Sequence, residues 1–331
     1  MRRVRVPALI LGTALLGAAL GWLPALAAED APPADPPSAG SGGVIEAPVA
    51  PPSSTPPLAP ATTPAPATPA PAPTPQPVPA PLPAAALSFG VLGGCRPGAT
   101  GPVSPVLQRI AEELGRRQPE VVIGTGDYVE GSPDPATLER QYQWLFYALQ
   151  PLQSSRIVPI AFAPGGHDVR SSANARLFSS YFGGTYHSFD RWTAHFIVLD
   201  TEIPGQEQRI MGDQWWWLVR DLYQALGTRY IFVVTGRPLF PVAGGRGSSL
   251  DRYPRYREAL HALLRDYHVS AVFSGGEGLY DYQEREGVRY FITGGAGGVL
   301  DETAGPGRAF SHFLWVRCAE GGFQVEAVPV G

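Results

Sequence analysis

From residue 87 onward, apolar runs of strand length alternate with stretches whose apolar residues recur every three to four positions. The runs at 87–92, 120–123, 157–162, 196–199 and 230–234 predict buried strands. Leu107, Ile110, Ala111 and Leu114 share one helical face behind Ser104 and Pro105, a capping residue followed by a proline suited to the first helical position. Asp134 and Pro135 open a second helix, with Leu138, Tyr142, Leu145 and Leu149 on one side. Two further helices are predicted at about 213–226 and 252–267. The runs at 313–318 and 323–328 flank Gly321-Gly322 and read as a closing hairpin. Strands alternating with helices predict a layered α/β domain, and the length suffices for one sizeable core.

Before residue 87 this pattern stops. Residues 29–86 are Pro, Ala, Thr and Ser with almost no aromatic side chain. Such a segment cannot bury enough apolar surface to offset its ordering entropy, so it predicts a disordered, semi-extended Pro/Ala-rich linker. Residues 1–28 read as a signal peptide: a basic start, an apolar run from Val6 to about Leu23, and Ala25-Leu-Ala27 as a small-x-small cleavage site. The alternative is an uncleaved anchor formed by residues 6–28, since the run is nearly long enough to span a bilayer. No cysteine follows the run, which argues against a lipoprotein. Both readings predict export, to a periplasmic or extracellular destination, with residues 87–331 as the folded domain.

Charge narrows the function classes little. The formal net charge is -4, and nucleic acid, which calls for a basic face, is not an expected partner. All 25 basic residues are arginine, a compositional habit that lends no weight to any single one. The two cysteines, Cys95 and Cys318, exclude a disulfide framework and a cysteine-rich zinc site, and leave open one disulfide. No phosphate-cradling Walker loop, dinucleotide fingerprint or nucleophile elbow occurs.

The chemistry is expected in Gly-rich turns at the strand ends. These are Val91-Leu-Gly-Gly-Cys-Arg-Pro-Gly98, Gly124-Thr-Gly-Asp-Tyr-Val-Glu-Gly131, Ala163-Pro-Gly-Gly-His-Asp168 and Phe273-Ser-Gly-Gly-Glu-Gly-Leu-Tyr-Asp281. Their order and spacing resemble the calcineurin-like metallophosphoesterase family. Phe196-Ile-Val-Leu-Asp200, Gln214-Trp-Trp-Trp-Leu218, Thr235-Gly-Arg-Pro-Leu-Phe240 and Tyr290-Phe-Ile-Thr-Gly-Gly295 extend the resemblance over about 240 residues. It implies a two-sheet α/β sandwich of that type.

The resemblance also implies a reaction, metal-dependent phosphoester hydrolysis, in which two divalent ions polarise the ester and generate the attacking hydroxide. The ligand positions, however, are mostly empty here. The Asp and His of the first family motif fall on Gly94 and Arg96. The Asn of the third falls on Gly166, the lone His on Gly236, and the final His pair on Gly276 and Gly278. Asp127, at the position of the bridging Asp, survives, as does His167, which assists the leaving group in the family without binding metal. Glycine has no side chain to ligate with, and Mg²⁺, Mn²⁺ or Zn²⁺ is not held by one carboxylate.

The sequence therefore predicts no metal cofactor and a non-catalytic pseudoenzyme that binds or scaffolds. The alternative is an active phosphoesterase with an unorthodox metal site built from Cys95, Asp127, Glu277 and His167. Arg96 and Arg237 are candidates for binding an anionic ligand, or else for neutralising Asp127 and Glu277. Asp168 is expected to orient its turn. Trp215, Trp216 and Trp217 are expected to pack, and the remaining histidines to be structural or exposed. The partner stays open between an anionic ligand and an envelope protein.

Overall fold

The computed structural model describes residues 87–98, 102–153, 158–242 and 247–331. The predicted signal peptide and linker lie outside the described residues. Strands β1 (Leu87–Leu92), β2 (Val121–Gly124) and β3 (Ile160–Phe162) run parallel, and β10 (His312–Ala319) and β11 (Gly322–Pro329) complete a first sheet in the order β11-β10-β1-β2-β3. The second sheet orders β4 (His187–Arg191), β5 (Ala194–Leu199), β6 (Tyr230–Thr235), β7 (Ala271–Ser274), β9 (Val288–Thr293) and β8 (Tyr280–Arg285) as β4-β5-β6-β7-β9-β8.

The sheets pack face to face through the alternate residues of their strands. Phe89 of β1 contacts Phe196, Phe232 and Phe273 of the opposite sheet, with ring centroids 5.1, 5.1 and 5.9 Å away. Helices α1 (Pro105–Arg117), α2 (Pro135–Leu149) and α3 (Ser172–Phe182) cover the outer face of the first sheet. Helices α4 (Gly212–Gln224) and α5 (Pro254–Asp266) cover the second. This is the expected two-sheet α/β sandwich.

The helix faces follow the sequence closely. Leu107, Ile110, Ala111 and Leu114 are buried on α1, and Leu138, Tyr142, Leu145 and Leu149 on α2. Asp134 caps α2 by accepting from the Thr137 amide at 3.0 Å, whereas Ser104 makes no side-chain capping bond to α1. Helix α3 and strand β4 were not legible beforehand. The one signal for α3 was Ser171, whose hydroxyl accepts from the Asn174 amide at 3.2 Å; its apolar face is short. Trp215 and Trp217 pack partly buried on the second sheet, while Trp216 is exposed.

The two cysteines are free and buried in different layers. Cys318 pairs with Leu87 at the start of β1, and Cys95 lies beyond the far end of that strand. The rise of the six-residue strand β1 alone separates the two levels by roughly 17 Å, so no disulfide joins them.

Candidate functional site

The parallel strands β1, β2, β3, β5, β6 and β7 all deliver their C-terminal ends to one rim, where open α/β sheets place their ligands. The rim loops are held by a single carboxylate. Asp168 is fully buried and accepts the amides of Asp127 (2.8 Å), Gly165 (2.9 Å) and Tyr128 (3.0 Å). It orients its turn, as expected from the sequence. Asp127 sits at φ 56°, in the left-handed region, and its Oδ1 accepts the His167 amide at 3.0 Å. One of its carboxylate oxygens is therefore spent on the neighbouring loop.

Arg96 and Arg237 take different partners. Arg237 grips Glu202 edge to edge, Nε to Oε1 at 2.5 Å and Nη2 to Oε2 at 2.8 Å, and also donates to the Ser248 carbonyl. Glu202 is almost fully buried and takes a further bond from the Thr201 hydroxyl at 2.9 Å. Burial pushes the Glu202 carboxyl above its ordinary pKa, and the Arg237 contacts act against that rise. Arg96 instead meets His167 Nε2 at 2.9 Å and stands 3.8 Å from Glu130. The carboxylates that partner these arginines are thus Glu202 and Glu130, neither of which the sequence reading had singled out. Glu202 carried one faint signal, its position just past the apolar run of β5.

His167 is crowded by a second guanidinium. Arg170 Nη2 lies 2.7 Å from His167 Nδ1, and the Glu130 carbonyl lies 3.0 Å from the same nitrogen. A neutral imidazole has one N–H and one lone pair. If Nδ1–H donates to Glu130, Nε2 accepts from Arg96 and Arg170 faces a donor. In the other tautomer Arg170 is served and Arg96 is not. One guanidinium always exceeds what the ring can accept.

Backbone or guanidinium closes most of the glycine positions. A Cβ at Gly94 would overlap the Gly294 carbonyl, one at Gly236 the Pro164 carbonyl, and one at Gly278 the Val299 carbonyl. A Cβ at Gly166 would overlap the Arg237 guanidinium. At Gly276, with φ +79°, it would stand 3.1 Å from the Gly236 carbonyl.

Cys95, Asp127, Glu277 and His167 do not assemble into a metal-holding group; no such cluster of three or more His, Cys, Asp or Glu side chains occurs among the described residues. Burial pushes the Cys95 thiol up, away from the thiolate a metal needs. Glu277 is buried, with Oε2 accepting the Val242 amide at 3.2 Å and Oε1 without a partner among the described residues. Burial raises its pKa from 4.5 to about 8.

Residues 104–280 match the family model of the calcineurin-like phosphoesterases. The chain belongs to that family. Similar solved structures include a purple acid phosphatase from yellow lupin (Lupinus luteus) seeds, 15% identical, covering 73% of this chain and 51% of that one at a TM-score of 0.59. A dimetal phosphatase from Danio rerio is 11% identical, covering 75% of this chain and 100% of its own at 0.56. The anchor in the inner membrane complex of Plasmodium is 15% identical, covering 73% and 84% at 0.53. At these identities the likeness is one of fold. The chain spans about half the length of the lupin phosphatase. No curated protein sequence matches it.

The residues of this calcineurin-like domain do not fit the family's two-metal group. Side-chain ligands are missing at Gly94, Gly166, Gly236, Gly276 and Gly278, and at all but Gly276 the volume a ligand would fill is taken by carbonyl oxygens or by Arg237.

Proposed function

We propose that this is a non-catalytic member of the calcineurin-like phosphoesterases, an exported domain that binds rather than hydrolyses. The observation that carries the reading is the Arg237–Glu202 pair, whose guanidinium occupies the space beside Gly166 where a ligand side chain would stand. A divalent cation could enter there only by breaking this buried pair. Elemental analysis of the purified protein, beside phosphomonoesterase and phosphodiesterase assays with added Mn²⁺, tests it. The expected result is neither stoichiometric metal nor turnover; two tightly held ions per chain with turnover would overturn it.

The binding surface on this reading is the cluster of Arg96, His167 and Arg170, and the ligand is an anion such as phosphate or a carboxylate. Arg237, the other arginine suggested by the sequence, is committed to Glu202. Arg170 has no carboxylate partner among the described residues, and Arg96 has one at 3.8 Å. Both lie within 3.4 Å of His167 Nδ1, so two like charges share one ring. An anion between them would relieve the repulsion and take the N–H groups the ring cannot. Export rests on the basic start, apolar run and Ala-x-Ala site of residues 1–28. Recovery of intact Met1 peptides from envelope fractions would replace the cleaved signal with the anchor.

A further inference from the structure

At the end of the second sheet opposite the rim, three elements meet around His195. Strand β4 is the edge strand and has β5 as its one sheet neighbour. His195 stands near the start of β5, directly across from Asp190 of β4, and α4 packs over the outer face of this sheet. The ring is buried. Its Nδ1 lies 2.7 Å from Asp190 Oδ1, and its Nε2 lies 3.0 Å from Oδ2 of Asp221 on α4. The Ser188 hydroxyl, also on β4, donates to Asp221 Oδ1 at 2.6 Å. The Asp190 side chain is largely exposed, whereas Asp221 is buried.

Both ring nitrogens thus face carboxylate oxygens, which only accept. A neutral imidazole has one N–H and serves one of them; the imidazolium serves both. The neighbouring arginines are turned elsewhere. Arg191 of β4 reaches Glu120 at 3.3 Å, Arg229 ahead of β6 donates to the Glu320 carbonyl, and Arg220 is exposed on α4. Strand β6 sets the apolar Ile231 beside His195. We infer that His195 is a pH-sensitive clasp: as an imidazolium it fastens edge strand β4 to α4, and on losing its proton it releases Asp190. The remaining N–H stays with Asp221, which is buried and cannot turn to water. The Nδ1 lone pair then faces the Asp190 carboxylate, which is exposed and swings out, loosening the turn end of β4. Burial lowers the His195 pKa, but the bonds to Asp221 and Asp190 outweigh it and hold the pKa above 6.5. The clasp's contribution is therefore full below pH 6.5 and is lost as the pH rises through the folded-state value.

Hydrogen exchange of the full chain, corrected for the intrinsic pH dependence of amide exchange, tests the clasp alongside an NMR titration of the His195 ring. The expected result is that protection of β4, relative to β6, falls roughly tenfold or more between about pH 6 and about pH 9, and that the ring titrates above pH 6.5. Comparison with β6 separates release of the edge strand from a global loss of stability. Asp190→Asn places an amide opposite Nδ1 that accepts from an N–H or donates to a lone pair, so β4 should stay protected at the alkaline end. His195→Gln should remove the pH-dependent step. Circular dichroism confirms the fold of each variant, and the parent chain with Asp190→Asn decides the matter if His195→Gln does not fold. A constant ratio of β4 to β6 protection in the parent, a ring pKa at or below 6.5, a full step in Asp190→Asn, or a step that persists in folded His195→Gln would each overturn the inference.

Discussion

The Arg237 guanidinium and the Glu202 carboxylate meet edge to edge, at 2.5 and 2.8 Å, and bind the turn after β6 to the turn after β5. The fixed cation of the pair sits beside former ligand positions. It is an internal bond between two rim loops.

Because Glu202 is almost wholly buried, Arg237→Ala leaves an uncompensated carboxylate. A loss of about 3–5 kcal/mol is expected, the usual cost of breaking a buried pair from one side, read from urea denaturation. Replacing both residues by a pair of similar volume, Arg237→Met with Glu202→Leu, should recover most of the loss.

Restoring a family ligand should not restore metal. Gly236→His and Gly278→His each place a Cβ against a carbonyl oxygen, of Pro164 and of Val299. Destabilisation of about 1–3 kcal/mol or more is expected from overpacking, with no gain of Mn or Zn by elemental analysis. Stoichiometric metal in either variant would show that the loops open easily.

Stability should fall as the pH rises through the Glu277 window. Its pKa is raised from 4.5 to about 8, so the unfolded chain releases this proton before the folded one does. The contribution is full below pH 4.5 and is lost as the pH rises toward 8. Glu277→Gln should flatten that limb and melt higher than the parent at pH 9 by thermal denaturation.

On the acid side, His312 is buried with Nδ1 donating to the Phe310 carbonyl at 2.8 Å, and its pKa is lowered from 6.5 to about 4. The unfolded chain takes up this proton first as the pH falls. Stability should decline from about pH 6.5 toward 4, and two-dimensional NMR should show the His312 ring titrating near pH 4.

Reduction should leave the melting temperature unchanged. Cys95 and Cys318 lie at opposite ends of β1 and are free. Alkylation after unfolding without reductant should label both thiols, seen by mass spectrometry.

The sequence by itself determined the α/β alternation, the faces of α1 and α2 and the family, because apolar periodicity and turn motifs are local records of burial. It also placed glycines where the family resemblance aligns metal ligands, and a glycine side chain cannot coordinate. Helix α3 escaped because its short apolar face gives little periodicity. What filled the vacated space was a matter of tertiary structure. Arg237 and Glu202 are thirty-five residues apart, and nothing local distinguishes Glu202 from a solvated loop carboxylate. Arg170, three residues past His167, likewise acquired meaning only when the β3 loop folded its side chain back onto the ring that Arg96 reaches from the β1 loop. Long-range pairing depends on which loops meet at the rim, and that is set by the order of strands in the two sheets, information that no single segment contains.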